Sequence, residues 1–305
     1  MLRYTLRQLE YAISVLDHGS VAQAAAMLGI AQPSLSAALL KLEDQIGLQL
    51  FIRHHAQGLS PTPSGQRFLT AARSLVGHAE EIQRQAADSS GTIAGDIAVG
   101  CFNTLAPAFA PALMAQFRKA YPQATIRLFE ESQTGLIEGL RSGRFDIALL
   151  YQFDMPDDLR LTHLMNAPPY ALLPAGHALA RGRRVSLADL AQEPLILLDI
   201  LPSRLYFTRI LEAHGIKPKI AFQSPSIEVV RGLVGQGLGY SLLVTRPAGD
   251  RSYDGKPLAV RPLAEKAEEG VVVLATLKQM RPTRLISTFE AFCVTFFSAS
   301  KPHKA

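Results

Sequence analysis

Tryptophan is absent from the chain, and cysteine occurs only twice, at Cys101 and Cys293. The two cysteines lie far apart and lack the paired spacing of a zinc site or a dithiol redox motif. They read either as small core residues or as the ends of one redox-switchable disulfide. No apolar run approaches the 18 or so residues that span a bilayer, which sets a membrane protein aside. Charge of one sign is scarce too: 31 Lys plus Arg face 26 Asp plus Glu, a formal +5 over 305 residues. That excess is too mild to establish nucleic-acid binding by itself. Catalytic signatures are also missing, with no Walker loop, HExxH, GxSxG elbow or paired-Cys metal motif. The eight His are scattered without ligand spacing, so neither a metal nor a cofactor is expected. Gly235-Gln236-Gly237-Leu238-Gly239 follows an expected helix and precedes an expected strand, the reverse of a dinucleotide fingerprint. Glu130 and Glu131, adjacent on an expected strand, point to opposite faces and do not share a proton.

What is present is a globular composition, 48% hydrophobic and 19% charged. At about 150 residues per domain this length predicts two or three packed units. Met1-Leu2-Arg3-Tyr4-Thr5 leads directly into a polar periodic segment without the regions of a signal peptide, so a cytoplasmic location is expected.

The first sixty residues carry the densest pattern. Thr5-Leu6-Arg7-Gln8 has the form of a capping box, and Leu6, Leu9, Ile13 and Leu16 recur on one helical face behind it. Ser20-Val21-Ala22-Gln23 repeats the capping form before a short helix lined by Ala24, Ala25 and Leu28, which stops at Gly29. A third helix opens with Pro33 in its first turn, and Leu35, Leu39, Leu42 and Ile46 make its buried stripe as far as Gly47. Helix, short Gly-containing turn, helix is helix-turn-helix geometry, although any small helical bundle joins helices this way. Leu48-Gln49-Leu50-Phe51-Ile52-Arg53 then alternates like a strand, residues 54–58 supply a turn, and Leu59-Ser60-Pro61-Thr62 leads back. The pair reads as a wing.

The ordered string Leu6-Arg7-Gln8-Leu9, Gly19-Ser20-Val21, Ala24-Ala25, Leu28, Gln32-Pro33-Ser34-Leu35-Ser36, Leu42-Glu43, Gly47-Leu48, Leu50-Phe51, Arg53, Leu59-Ser60-Pro61-Thr62 and Gly65 resembles the LysR-type transcriptional regulators. The resemblance implies that the third helix enters the major groove. It puts Gln32, Pro33, Ser34 and Ser36 at the DNA-facing start and sets Arg53 on the wing against phosphate or minor groove. The chemistry suits this: Gln pairs bidentately with adenine, and Arg is a strong phosphate partner. Two positions depart from the family: Ala31 replaces a capping Ser or Thr, and Ala37 replaces a common Arg or Lys. Residues 1–88 carry seven positive and seven negative side chains, so binding must rest on charge placement, helix N-termini and more than one copy. His54 and His55 either add charge at lower pH or are solvated turn residues.

From 63 to 87, Phe68, Ala72, Leu75, Ala79, Ile82 and Ala86 step by four and three, the pattern of a coiled-coil seam. Roughly 25 residues make a rod of about 37 Å, too long to bury its stripe on the small head alone. A second copy of the helix would cover it, and so would this chain's own remaining domain. The resemblance implies an antiparallel pair. Asp88-Ser89-Ser90-Gly91-Thr92 reads as a hinge.

Beyond the hinge, strands over 97–99, 125–130 and 146–151 alternate with helices over 107–120 and 136–141, which predicts a parallel sheet with right-handed crossovers. A second set follows: strands over 170–173, 195–198, 219–223 and 240–244, with helices over 204–214 and 227–234. A strand over 271–277 and a helix over 283–297 close the chain. The resemblance returns them to the first unit. The expected fold class is thus α/β: an N-terminal winged helix-turn-helix over 1–62, a linker or dimerisation helix and hinge over 63–91, and a two-lobed, periplasmic-binding-protein-like effector domain over 92–305. Lobe 1 takes about 92–163 and 266–305, and lobe 2 about 164–265.

Ligands of open α/β sheets sit beyond the carboxyl ends of strands, near helix N-termini. That rule selects Asn103 and Thr104, Ser132-Gln133-Thr134, Tyr151-Gln152, Asp199, Ser203 and Arg204 beside Pro202, and Ser226. Hydroxyls and amides at helix starts suit a small anion or carboxylate, with Arg204 as a clamp. Thr104, Thr134, Ser203 and Ser226 read equally well as N-caps. The function this predicts is operator binding modulated by a small-molecule effector. The partners are double-stranded operator DNA, the effector and a second copy in a dimer or tetramer. RNA polymerase is left open as a further partner. A solute-binding protein and an α/β enzyme remain as alternatives.

Overall fold

The computed structural model describes residues 3–54, 58–87, 92–247 and 249–299. Helix α1 (Leu6–His18) starts where the Thr5 side chain accepts from the Gln8 N–H and the Gln8 side chain accepts from the Thr5 N–H at 2.9 Å. Its buried face is Leu9, Ala12, Ile13 and Val15. The expected stripe is therefore rotated: Leu6 stays 43% exposed, and Leu16 is only half-buried. Helix α2 (Val21–Leu28) is capped by Ser20 and closed by Gly29 at φ 65°, a conformation that glycine adopts without steric cost. Helix α3 (Gln32–Ile46) then leaves at 109° to α2. Leu35, Leu39 and Leu42 are buried against the other two helices, while Ile46 is half-buried.

Strand β1 (Phe51–His54) pairs antiparallel with β2 (Gly58–Pro61) to make the wing. It begins later than the alternation at 48 predicts, because the Glu43 carboxylate accepts from the N–H groups of Leu50 (2.6 Å) and Phe51 (3.1 Å). A side chain thus satisfies backbone that a strand partner otherwise would. Thr62 donates to the Gln49 carbonyl and accepts from the Gly65 N–H, which opens the 25-residue helix α4 (Pro63–Ala87). A Cβ at Gly65 would sit 2.2 Å from the Leu50 carbonyl oxygen, so the first turn of α4 presses directly on the wing. Leu69, Ala72 and Val76 are buried with α1 in the head's core. Ala72 therefore leaves the expected seam for the chain's own interior. The expected hinge at 88–91, His55, and the side chain of Ala86 lie outside the described residues.

The remainder forms two lobes. The first holds β3 (Gly95–Phe102), α5 (Ala106–Ala120), β4 (Ala124–Glu131), α6 (Gln133–Arg141), β5 (Ile147–Tyr151) and β6 (Leu159–Ala167). The second holds β7 (Tyr170–Pro174), α7 (Leu187–Leu190), β8 (Pro194–Leu198), α8 (Ser203–Ala213), β9 (Lys219–Ser224), α9 (Ile227–Gly235), β10 (Ser241–Leu243) and β11 (Leu258–Pro262). Strand β12 (Gly270–Leu277) and α10 (Arg284–Ala299) return to the first lobe.

The first sheet has the order β4-β3-β5-β12-β6, with β3 parallel to β4 and β5. It is mixed rather than wholly parallel, because β12 enters at the end where β5 leaves and so runs antiparallel to β5 and β6. Strand β6 pairs with β12 through Ala167, so the crossing into lobe 2 falls at 168–169 and not at 164. Lobe 2 joins the parallel pair β8-β9 to an antiparallel trio, β10-β7-β11, through a bridge at Leu195 and Tyr240. Both cysteines are free and buried in the lobe 1 core. Burial pushes the Cys101 thiol up to about 12 and raises Cys293 further, so both are protonated at neutral pH.

Candidate functional site

Two surfaces concentrate the residues that chemistry selects. On the head, α3 presents Gln32, Pro33, Ser34 and Ala37 exposed and Ser36 half-buried. Its N-cap, Ala31, makes no side-chain hydrogen bond, so the first N–H groups of α3 stay available to an acceptor outside the chain. Arg53 pairs with Leu59 through the strand register, while its exposed side chain has no hydrogen-bond or ion-pair partner among the described residues. His54 bonds the Ser60 hydroxyl across the wing at 2.7 Å, which makes it part of the hairpin as well as a surface residue. Arg73 is spent internally, with both terminal nitrogens on the Asp17 carboxylate.

Along α4, Phe68 is half-buried edge-on against Tyr4 at 6.1 Å. Leu75 and Ile82 are 43% and 67% exposed, and Ala79 is half-buried between them. The opposite side meets lobe 1: Thr70 donates to the Arg141 carbonyl at 2.6 Å and Gln66 to the Ser142 carbonyl at 3.4 Å. The helix thus touches the head on one side and the effector domain on another, and leaves a third stripe apolar and open.

The second surface is a cavity of about 420 Å³ at the junction of the lobes. Residues 151–154, after β5, form one wall, α8 a second, and the returning segment 266–271 a third. Helical spacing puts Ser203, Tyr206, Phe207 and Ile210 on the cavity side of α8. Ser203 is buried at the first turn and its hydroxyl has no partner among the described residues. Asp154 and Arg209 pair across the lobes at 3.1 Å with both side chains about 60% exposed, so the bridge contributes only about 0–1 kcal/mol and opens easily. Arg209 also lies over the Phe153 ring at 4.5 Å. Lys266, Glu268 and Glu269 stand at the exposed rim.

Tyr151 links this cavity to a buried polar cluster. Its hydroxyl bonds Thr245 and lies 3.5 Å from that of Thr104, while the Gln133 amide donates to the Tyr151 and Phe153 carbonyls at 3.0 and 3.2 Å. Burial raises the Tyr151 hydroxyl above the ordinary phenol value, so it stays neutral. The Gln133 Oε1 is buried with no partner among the described residues.

Of the effector residues the sequence selects, Tyr151, Gln152, Pro202 and Ser203 line the cavity, and Thr104 supports it from behind. Asn103 and Thr134 are exposed and do not line it. Arg204 holds Asp199 at 2.8 Å and does not line the cavity. Ser226 caps α9 by accepting from Val229 N–H. Ser132, not Thr134, caps α6. The sequence reading missed the cavity face of α8 beyond Ser203 and the segment 266–271. The three- and four-residue spacing of Ser203, Tyr206, Phe207 and Ile210 was the available signal for the helix.

A winged helix-turn-helix head on a long helix, carrying a two-lobed domain with a cavity at the lobe junction, defines a ligand-responsive DNA-binding regulator. Family comparison agrees: residues 6–66 match the bacterial regulatory helix-turn-helix protein, lysR family, and residues 90–298 match the LysR substrate binding domain. The chain belongs to the LysR family of transcriptional regulators. It is similar to the crystal structure of HinK, a LysR family transcriptional regulator from Pseudomonas aeruginosa. That pair shares 46% identity at TM-score 0.66, over 96% of this chain and 98% of that one. Full-length OxyR C199D from the same organism shares 25% identity at TM-score 0.76, over 95% and 97% of the two chains. The uncharacterized HTH-type transcriptional regulator YnfL of Escherichia coli (strain K12) is 30% identical over 86% of this chain and 88% of its own. The family is one of transcriptional regulators.

Proposed function

We propose that paired heads of this chain bind operator DNA in the cytoplasm and that a small-molecule effector at the lobe junction alters that binding. Gln32, Pro33, Ser34 and Ser36 address base edges and phosphate at the start of α3, and Arg53 holds phosphate or minor groove from the wing. Phe68, Leu75, Ala79 and Ile82 meet the same helix of a second copy. The observation that carries the effector reading is the cavity itself, walled by both lobes and by the segments that connect them. A ligand there changes the balance of lobe closures only through unequal affinity for them. The bonds from Gln66 and Thr70 to lobe 1 pass such a movement to α4 and so to the head.

The rim charges are exposed, opposite in sign and screened by water. Among the polar groups that line the cavity, the Ser203 hydroxyl stands at the N-terminus of α8, where the helix favours negative charge. That supports a small carboxylate with an apolar body against Phe207, Ile210 and Val244. A thermal-shift series with small carboxylates and their amine counterparts tests it, since a bound ligand raises apparent stability by mass action. The expected result is a shift with a carboxylate that shrinks in Ser203→Ala. Shifts with amines alone would overturn the ligand class, and no shift from either set would count against an effector of this size. For DNA, Gln32→Ala is expected to weaken specific binding by about 1–3 kcal/mol.

A further inference from the structure

The outward side of α3 carries an apolar patch that the head's own core does not use. Leu35, Leu39 and Leu42 are buried, whereas Leu40 is 50% exposed and Ala37 is exposed beside it. Ser36 and Leu40 are one turn apart, as are Pro33 and Ala37, so the four form one outward strip. From Pro33 to Leu40 the strip runs about 10 Å at 1.5 Å per residue, close to the rise of three base pairs at about 3.4 Å each.

We propose that Ala37 and Leu40 read thymine methyl groups in the major groove, next to the bases that Gln32 and Ser36 address. The proposal rests on the recognition-helix reading above. Among the bases only thymine presents an apolar group in that groove, its C5-methyl. The other base edges offer donors and acceptors that an alkyl side chain would cover without a partner, which is unfavourable. A head with as many acidic as basic side chains draws less on the phosphates. Contact with base edges then carries a larger share of its affinity.

The test uses the full-length chain and a duplex enriched by it from a randomised pool. Each thymine of that duplex is replaced in turn by deoxyuridine, which removes the methyl alone. Binding is read by fluorescence anisotropy. At one or more positions in each half-site the replacement is expected to weaken binding about fourfold, the equivalent of about 0.8 kcal/mol for one buried methyl. Leu40→Ala is expected to be indifferent to the same replacement, with an unchanged unfolding temperature because the side chain lies outside the core. The deoxyuridine series on the unaltered chain needs no variant. Tolerance of deoxyuridine at every position, while Gln32→Ala still loses affinity, would overturn the methyl reading and leave the recognition helix standing. If Gln32→Ala and Leu40→Ala both bind like the unaltered chain, or if no duplex is enriched, the recognition-helix reading falls and this proposal with it.

Discussion

Single residues set the head's stability in ways that bear on its function. Ala31 stands at the N-cap of α3 with extended dihedrals of φ −69° and ψ 134°, ready for a capping side chain that it lacks. Ala31→Ser is expected to stabilise the protein by about 1 kcal/mol, read as a rise in the denaturation midpoint. A drop would mean that the open turn is packed in a way a hydroxyl disturbs. Asp146, in lobe 1 rather than the head, behaves differently, because its carboxylate accepts from the Ala98 N–H at 2.7 Å and burial raises its pKa above the ordinary carboxylate value. The folded state then holds the proton more tightly than the unfolded state. Its contribution to stability is complete below the ordinary carboxylate range and is lost as pH rises through the raised value. Asp146→Asn keeps the acceptor and removes the charge. Its unfolding temperature should therefore gain on the unaltered protein between acid and neutral pH. A gap that stays constant across a pH series would contradict this.

Among the elements, α4 is the one with three separate duties. Leu69, Ala72 and Val76 belong to the head, Gln66 and Thr70 to lobe 1, and Leu75 with Ile82 to neither. Ile82→Asp places a charge on the open stripe without touching either intrachain contact. It is expected to shift sedimentation toward the single copy while leaving the head's melting transition in place. Unchanged sedimentation would mean that copies associate elsewhere. Helix positions were legible because caps and glycines announce their own chemistry: Thr5, Ser20, Gly29 and Gly47 mark real ends. Helix faces were less so. Periodicity alone does not distinguish a stripe that packs on the head from one that packs on a second copy, and Ala72 went to the head. Strands β6 and β11 escaped notice because β6 is interrupted by His163 and Asn166 and β11 is short and ends at Pro262. In the site, Tyr151 and Ser203 were legible from the rule that ligands sit beyond strand ends. Arg209, Lys266 and the inner face of α8 become neighbours only when two lobes close on each other, and distances of that kind are not written in local sequence.

For the whole molecule, the governing balance is between a head with no net charge and an architecture that can hold two of them together. Two linked heads convert the second binding event into an intramolecular one, which multiplies affinity by about 10²–10⁴ without any new contact. The most direct measurement is an anisotropy titration of the full-length chain onto an enriched duplex carrying two half-sites, beside the same duplex with one half-site scrambled. The Leu75→Asp, Ile82→Asp double variant is run in parallel. The unaltered chain should bind the two-site duplex at least about 100-fold more tightly than the one-site duplex, and the variant should lose that advantage. Equal affinity of the unaltered chain for both duplexes, or an undiminished preference in the variant, would contradict the account.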